Sequence, residues 1–239
     1  MKPIERFGVL LYNYYVIKKV GKEKAMTTII LIRHGQSMAN LNKVFAGHFN
    51  APLSPLGHKQ AELTAKAVAE RFPDIDKIYA SDLLRAYDTG KHLAEILNME
   101  IIPDKAFREI YAGKWEGMKF DDILENYADA FGVWRTDIGN ARCTGGESAR
   151  ELGARLFSRI KEIAVENDGK TVVVVTHAAA IRSLMAQCPE ENFDGMKDIP
   201  FVSNASYSVL SADNGRFEFT EVSCDDHLAD LKTALPANV

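Results

Sequence analysis

The chain has 239 residues, 46% of them hydrophobic, and a formal net charge of −4. That balance argues against a chain built as a whole to hold nucleic acid or an anionic membrane, so any positive charge that reads an anionic ligand has to be local. Three widely spaced cysteines without a CxxC (Cys143, Cys188 and Cys224) argue against a disulfide framework and for a reducing, cytoplasmic setting, and nothing approaches the roughly 20 apolar residues of a membrane span.

Residues 1–26 read as an extension ahead of a single domain spanning 27–239, with no linker or repeat to divide the rest. Lys2 and Arg6 precede a short apolar run, as in a signal peptide, but Asn13 and three tyrosines interrupt it and no small-residue cleavage site follows. Met26 is also an alternative start. The extension offers a surface for a partner or for a homodimer.

"TTIILI" (27–32) is a buried strand. After a long loop, Ser54 and Pro55 open a helix as N-cap and first helical residue, and Pro73 ends it. "DKIYAS" is a short strand, "DLLRAYDTGKHLAEIL" a helix, and "MEIIPD" a strand stopped by Pro103. Short helices are expected across Asp121–Tyr127 and Ala130–Thr136, inside an irregular segment near 110–146 that reads as a cap. A long amphipathic helix begins near "GGESARELG", with Leu152, Leu156, Ile160 and Ile163 on one face. "KTVVVVTH" is a second buried strand, "AAAIRSLMAQC" the following helix, and "SYSVLSADNGRFEFTEV" a hairpin turning at Asp213-Asn214-Gly215.

Strands alternating with helices imply a three-layer α/β/α sandwich with a mostly parallel sheet and a C-terminal hairpin. Ligands bind such sheets at the C-terminal strand ends. Two strands here end in histidine, "IILIRH" and "VVVVTH", so neighbouring parallel strands would bring His34 and His177 to one rim. Arg33, Asn40, Arg85 and Glu109 are candidates to join them. Two guanidiniums bind phosphate oxygens in forked pairs, a neutral imidazole is a nucleophile, and a lone carboxyl can protonate a departing oxygen. Asn40 and the backbone around Gly35 add neutral donors. Two arginines beside a single acid would repel a divalent cation, so no metal is expected. His48, His58, His92 and His227 read as structural or surface residues, and Arg182 as a packing or capping contact.

In this setting the sequence resembles the histidine phosphatase superfamily, also called phosphoglycerate mutase-like. The resemblance rests on "LIRHGQSMAN", "AGHFNAPLSPLGHKQA", "YASDLLRAYDTG", "FREIYAGKWEG" and "VVVVTHAAAIR", in that order, from about residue 28 to 213. It implies that His34 attacks phosphorus and becomes phosphohistidine, a backbone carbonyl holding its other ring nitrogen. It implies that Arg33, Arg85, His177 and Asn40 hold the phosphoryl oxygens, and that Glu109 protonates the leaving alcohol and then activates water. Gln36 and Ser37 are expected to contact phosphate or substrate, and neither metal nor other cofactor is required. Gln36 stands where the family often has Glu, and Ala178 follows His177 where glycine is frequent, a methyl expected to be tolerated because it opens a helix, though it would narrow the pocket.

The short stretch between Glu109 and His177 resembles the phosphatase branch, so the expected reaction is phosphomonoester hydrolysis on a small phosphorylated metabolite. The alternatives are mutase-type phosphoryl transfer and an inactive relative that binds a phospho-ligand or a protein. The aromatic residues of the cap either favour a substrate with an apolar or ring-bearing part or form a small local core.

Overall fold

The computed structural model describes residues 25–188 and 190–233, so all but the last two residues of the expected extension lie outside it. A six-stranded sheet runs in the order β3-β2-β4-β1-β5-β6. Its strands are β1 (Thr27–Arg33), β2 (Ile75–Ala80), β3 (Ile101–Pro103), β4 (Thr171–Thr176), β5 (Tyr207–Asp213) and β6 (Arg216–Cys224). The first four are mutually parallel, β5 runs antiparallel to β1, and β6 to β5. The hairpin turns on Asn214 and Gly215, both at positive φ (49° and 84°), as a tight two-residue turn requires. β3 is shorter than expected and ends on Pro103, which an edge strand tolerates, while Met99 still bonds back to the end of the preceding helix.

The helices are α1 (Met38–Leu41), α2 (Pro55–Arg71), α3 (Leu84–Leu97), α4 (Phe120–Asn126), α5 (Ala128–Thr136), α6 (Ala149–Glu166) and α7 (Ala178–Gln187). Ser54 caps α2, its hydroxyl accepting the Gly57 N–H at 3.0 Å, and Ser148 with Glu151 forms a reciprocal cap on α6. Alternate strand residues serve opposite faces. Ile29, Leu31, Val172 and Val174 pack with Leu152, Leu156 and Ile160 of α6 and Ile181 of α7. Ile30, Ile32, Val173 and Val175 pack with Val68 of α2 and Leu93 of α3. This is the expected three-layer sandwich. No described helix is long and apolar enough to cross a membrane.

Two features of this scaffold position the site. β1 and β4 are in-register neighbours, Arg33 opposite Thr176, so the residues that follow, His34 and His177, leave the sheet side by side. The loop after His34 also lies against the start of α2. A Cβ on Gly35 would come 2.4 Å from the Gly57 carbonyl oxygen, and one on Gly57 would come 2.0 Å from that of Gln36. Gly35→Ala is therefore expected to destabilise the protein by about 2 kcal/mol through overpacking. That corresponds to a fall in Tm of ~4–8 °C, measurable by thermal unfolding.

Candidate active site

His34 is 4% exposed and its ring centroid lies 5.1 Å from that of His177, which is wholly buried. His34 Nδ1 is 2.7 Å from the Gly35 carbonyl oxygen, which can only accept, so Nδ1 carries the proton and Nε2 presents a lone pair. The Arg85 Nε–H donates to that Nε2 at 3.3 Å. Burial first, then the charges of Arg85 and Arg33, push the His34 pKa well below its ordinary value. Burial and Arg85 do the same to His177. Both rings are thus neutral at neutral pH.

The arginines are held from outside the strand ends. Arg85 is 1% exposed and donates to the carbonyls of Phe49 (3.0 Å) and Gly47 (2.8 Å). Glu116 organises that loop by accepting the backbone N–H groups of His48 and Phe49. Arg33 donates to the Val202 carbonyl and lies over the Phe201 ring. Burial draws the pKa of each down to about 10, so both stay charged at neutral pH. Glu109 sits at the N-terminus of α7, one carboxylate oxygen accepting Ala180 N–H (3.1 Å) and Ile110 N–H (2.9 Å), the other Ala179 N–H (3.2 Å). The helix terminus favours an anion there. His48 Nε2 approaches the Glu109 carbonyl oxygen at 2.8 Å, a structural contact.

Arg33, His34, Asn40, Arg85, Glu109 and Ala178 line one cavity of about 550 Å³. His177 lies behind it, its Nε2 2.9 Å from the Ser81 hydroxyl. Asn40 commits its carbonyl oxygen to the Ser37 N–H and to Asn204, leaving its amide NH2 as the group available to a ligand. Three expectations need correction. Gln36 and Ser37 are not on the cavity wall. The Gln36 side-chain amide oxygen accepts the Ser54 hydroxyl at 2.7 Å, and the Ser37 hydroxyl caps α1 by accepting the Asn40 N–H at 3.1 Å. Nor is the Gly35 N–H a free donor, since it bonds the Thr89 hydroxyl at 3.1 Å. All three residues shape the loop instead.

Other residues of the site are not evident from motifs. Ser81 ends β2 next to β4, so the rule that singled out His34 and His177, a polar residue closing a buried parallel strand, also finds it. Asn204 donates to the His34 carbonyl at 3.1 Å and Arg182 donates to the carbonyls of Met196 and Ile199, contacts that have no sequence signal. Trp115, Phe131 and Trp134 of the 110–146 segment join Phe45 in a local core of edge contacts, and Phe45, Phe131 and Trp134 also line the cavity.

The neutral histidines carry a testable cost. Between their lowered folded values and the unfolded value of about 6.5, the unfolded chain binds more protons than the folded one. Stability therefore rises with pH in that window and falls as pH drops below about 6.5, by up to ~1.4 kcal/mol per pH unit for each ring. Denaturant unfolding at pH 7.5 and 5.5 should show this fall, and His34→Asn should remove one ring's share.

Next to this pocket Arg33 Nε and His177 Nδ1 are buried and have no hydrogen-bond partner among the described residues. The described residues also form no group of three or more metal-ligating side chains. An unprotonated imidazole nitrogen among buried cations and unpaired donors defines an enzyme that takes a phosphoryl group. The chain belongs to the histidine phosphatase superfamily, branch 1, whose family model matches residues 29–225. It is 32% identical over 207 residues to phosphoserine phosphatase 1 of Hydrogenobacter thermophilus, covering 86% of this chain and 96% of that one. It is 36% identical over 163 residues to a 2,3-bisphosphoglycerate-dependent phosphoglycerate mutase of Chelativorans sp., covering 66% of this chain and 79% of that one. Among solved structures, Bacillus stearothermophilus YhfR matches with a TM-score of 0.80 at 26% identity, over 84% of this chain and 99% of that one.

Proposed function

We propose that the protein hydrolyses phosphate monoesters in two steps on His34. The observation that carries this is the unprotonated Nε2 of His34, fixed by the Gly35 carbonyl and facing Arg85. Nε2 attacks phosphorus in line, the P–N bond forms and the bond to the ester oxygen breaks. The Glu109 carboxyl gives that oxygen its proton as the alcohol leaves. Arg33, Arg85, the Asn40 amide and His177 hold the phosphoryl oxygens. When the Ser81 hydroxyl donates to His177 Nε2, the Nδ1–H is left as a donor for one of those oxygens. Glu109, now a carboxylate, takes a proton from water, which attacks phosphorus and releases phosphate while Nε2 regains its lone pair.

The substrate in this reading is a small phosphorylated metabolite and the setting cytoplasmic, with neither nucleic acid nor membrane as partner. The acidic net charge and the three unbridged cysteines support it. A homodimer is compatible with it. The mutase relative gives a second reading its weight, since a second alcohol in place of water would produce transfer.

The purified protein is expected to release inorganic phosphate from a generic phosphomonoester at undiminished rate in EDTA. Its kcat/KM should persist below pH 6.5, because the pKa of His34 lies below the ordinary histidine value and the neutral form survives there. Product analysis with a phosphoglycerate as substrate separates the readings. Phosphate moved between hydroxyls much faster than it is released would assign the mutase reaction instead.

A further inference from the structure

Five cations and two carboxylates line the cavity. The phosphoryl group and Glu109 account for Arg33 and Arg85. That leaves Lys43, Arg135 and Arg182 against Asp121 alone. None of the three remaining cations has a carboxylate within 4.0 Å among the described residues. Arg182 is the most telling, because it is 6% exposed. Its NH2 group donates to the Met196 and Ile199 carbonyls, while its Nε has no acceptor among the described residues. A buried cation without a counter-charge is costly, and an arriving anion relieves that cost. Lys43 is exposed at the cavity wall and sits at φ 55°. Its backbone is tied to Asn40 behind it and to Phe120 at the start of α4. The left-handed backbone is the usual conformation just past a helix C-terminus, here that of α1, and it sets Lys43 on the cavity wall between α1 and α4.

Much of the remaining wall is apolar, with Phe120, Leu124, Trp134 and Ile138 among its residues. A cavity of about 550 Å³ is much larger than a phosphoryl group needs. Resting on the phosphatase reading above, we infer that the substrate is a phosphate ester of an alcohol with an apolar or ring-shaped body that carries a second anionic group, a carboxylate or another phosphate. Lys43, Arg135 and Arg182 read that group, and the apolar wall takes the body. The surplus positive charge also draws such substrates inward and disfavours cationic ones.

The test uses 4-carboxybenzyl phosphate, 4-methylbenzyl phosphate and a 4-trimethylammonio-benzyl phosphate, which keep the reacting end alike. The carboxylated ester should have a kcat/KM at least tenfold above the methyl ester, mostly through KM, and the cationic ester should be poorest. Lys43→Ala combined with Arg135→Ala, both at exposed positions, should remove most of that preference while sparing turnover of the methyl ester. Equal kcat/KM for the carboxylated and methyl esters, or a preference intact in the double variant, would overturn the inference. Calorimetric binding of the matching non-hydrolysable phosphonates separates this from the reaction itself. A tenfold carboxylate preference in binding, with no ester hydrolysed, would uphold the anion subsite and overturn the phosphatase reading. Equal binding of both phosphonates would overturn the subsite even in an active phosphatase.

Discussion

His34→Ala is expected to lower kcat for any phosphomonoester by about 10⁴-fold or more, because no other nucleophile stands at the mouth of β1. His177 is nearest, but its Nε2 faces the Ser81 hydroxyl, and the tautomer that bond sets puts a proton on Nδ1, which leaves that ring a donor rather than a nucleophile. The loss should fall on kcat rather than on ligand binding. Arg33 and Arg85 are held by Val202 and by the Gly47 and Phe49 carbonyls, not by the His34 ring alone. Inorganic phosphate should therefore protect His34→Ala against unfolding about as well as it protects the wild type. A variant that folds, binds phosphate and still turns over within tenfold of wild type would mean that the chemistry does not use this ring.

The second large effect is expected from Glu109→Gln, and its size should depend on the ester. An alkyl phosphate has a poor leaving group that needs a proton, so the variant should lose about 10²–10⁴-fold. A nitrophenyl phosphate departs without one, so its first step should be nearly unimpaired. Water activation then becomes limiting, and rapid mixing should show a burst of nitrophenolate followed by slow turnover. Gln keeps one acceptor for the N–H groups at the start of α7 but sets its amide against another. Simple displacement of the side chain would slow both esters alike. Equal losses on the two substrates would reduce Glu109 to a positioning role.

Much of this site is legible in the chain because it sits where regular structure ends. A buried strand shows itself through β-branched apolar runs, and two such runs closing in histidine are enough to bring His34 and His177 together once the sheet is parallel. Arg85 and Glu109 are candidates by their chemistry but individually unremarkable, a helix arginine and a loop glutamate, and the family resemblance is what gives them their roles. The supports are harder to read. The chain of contacts from Glu116 through the loop at 47–49 to Arg85 runs over backbone groups whose direction depends on loop conformation. The segment from Val202 to Ser206 holds Arg33 and His34 largely through main-chain carbonyls and amides, which any sequence supplies. Gln36 and Ser37 mislead for the opposite reason. They adjoin the nucleophile in sequence, yet the Gly35–Gly57 contact turns the chain toward α2, and the Ser37 cap commits the hydroxyl locally.

The most direct test is to quench the enzyme in alkali while it turns over ³²P-labelled nitrophenyl phosphate, and then map the label. Acid-labile, alkali-stable phosphate on the peptide carrying His34, approaching one per chain in Glu109→Gln and absent in His34→Ala, is the predicted result. Turnover of the same ester with no label on that ring in either wild type or Glu109→Gln would contradict the account.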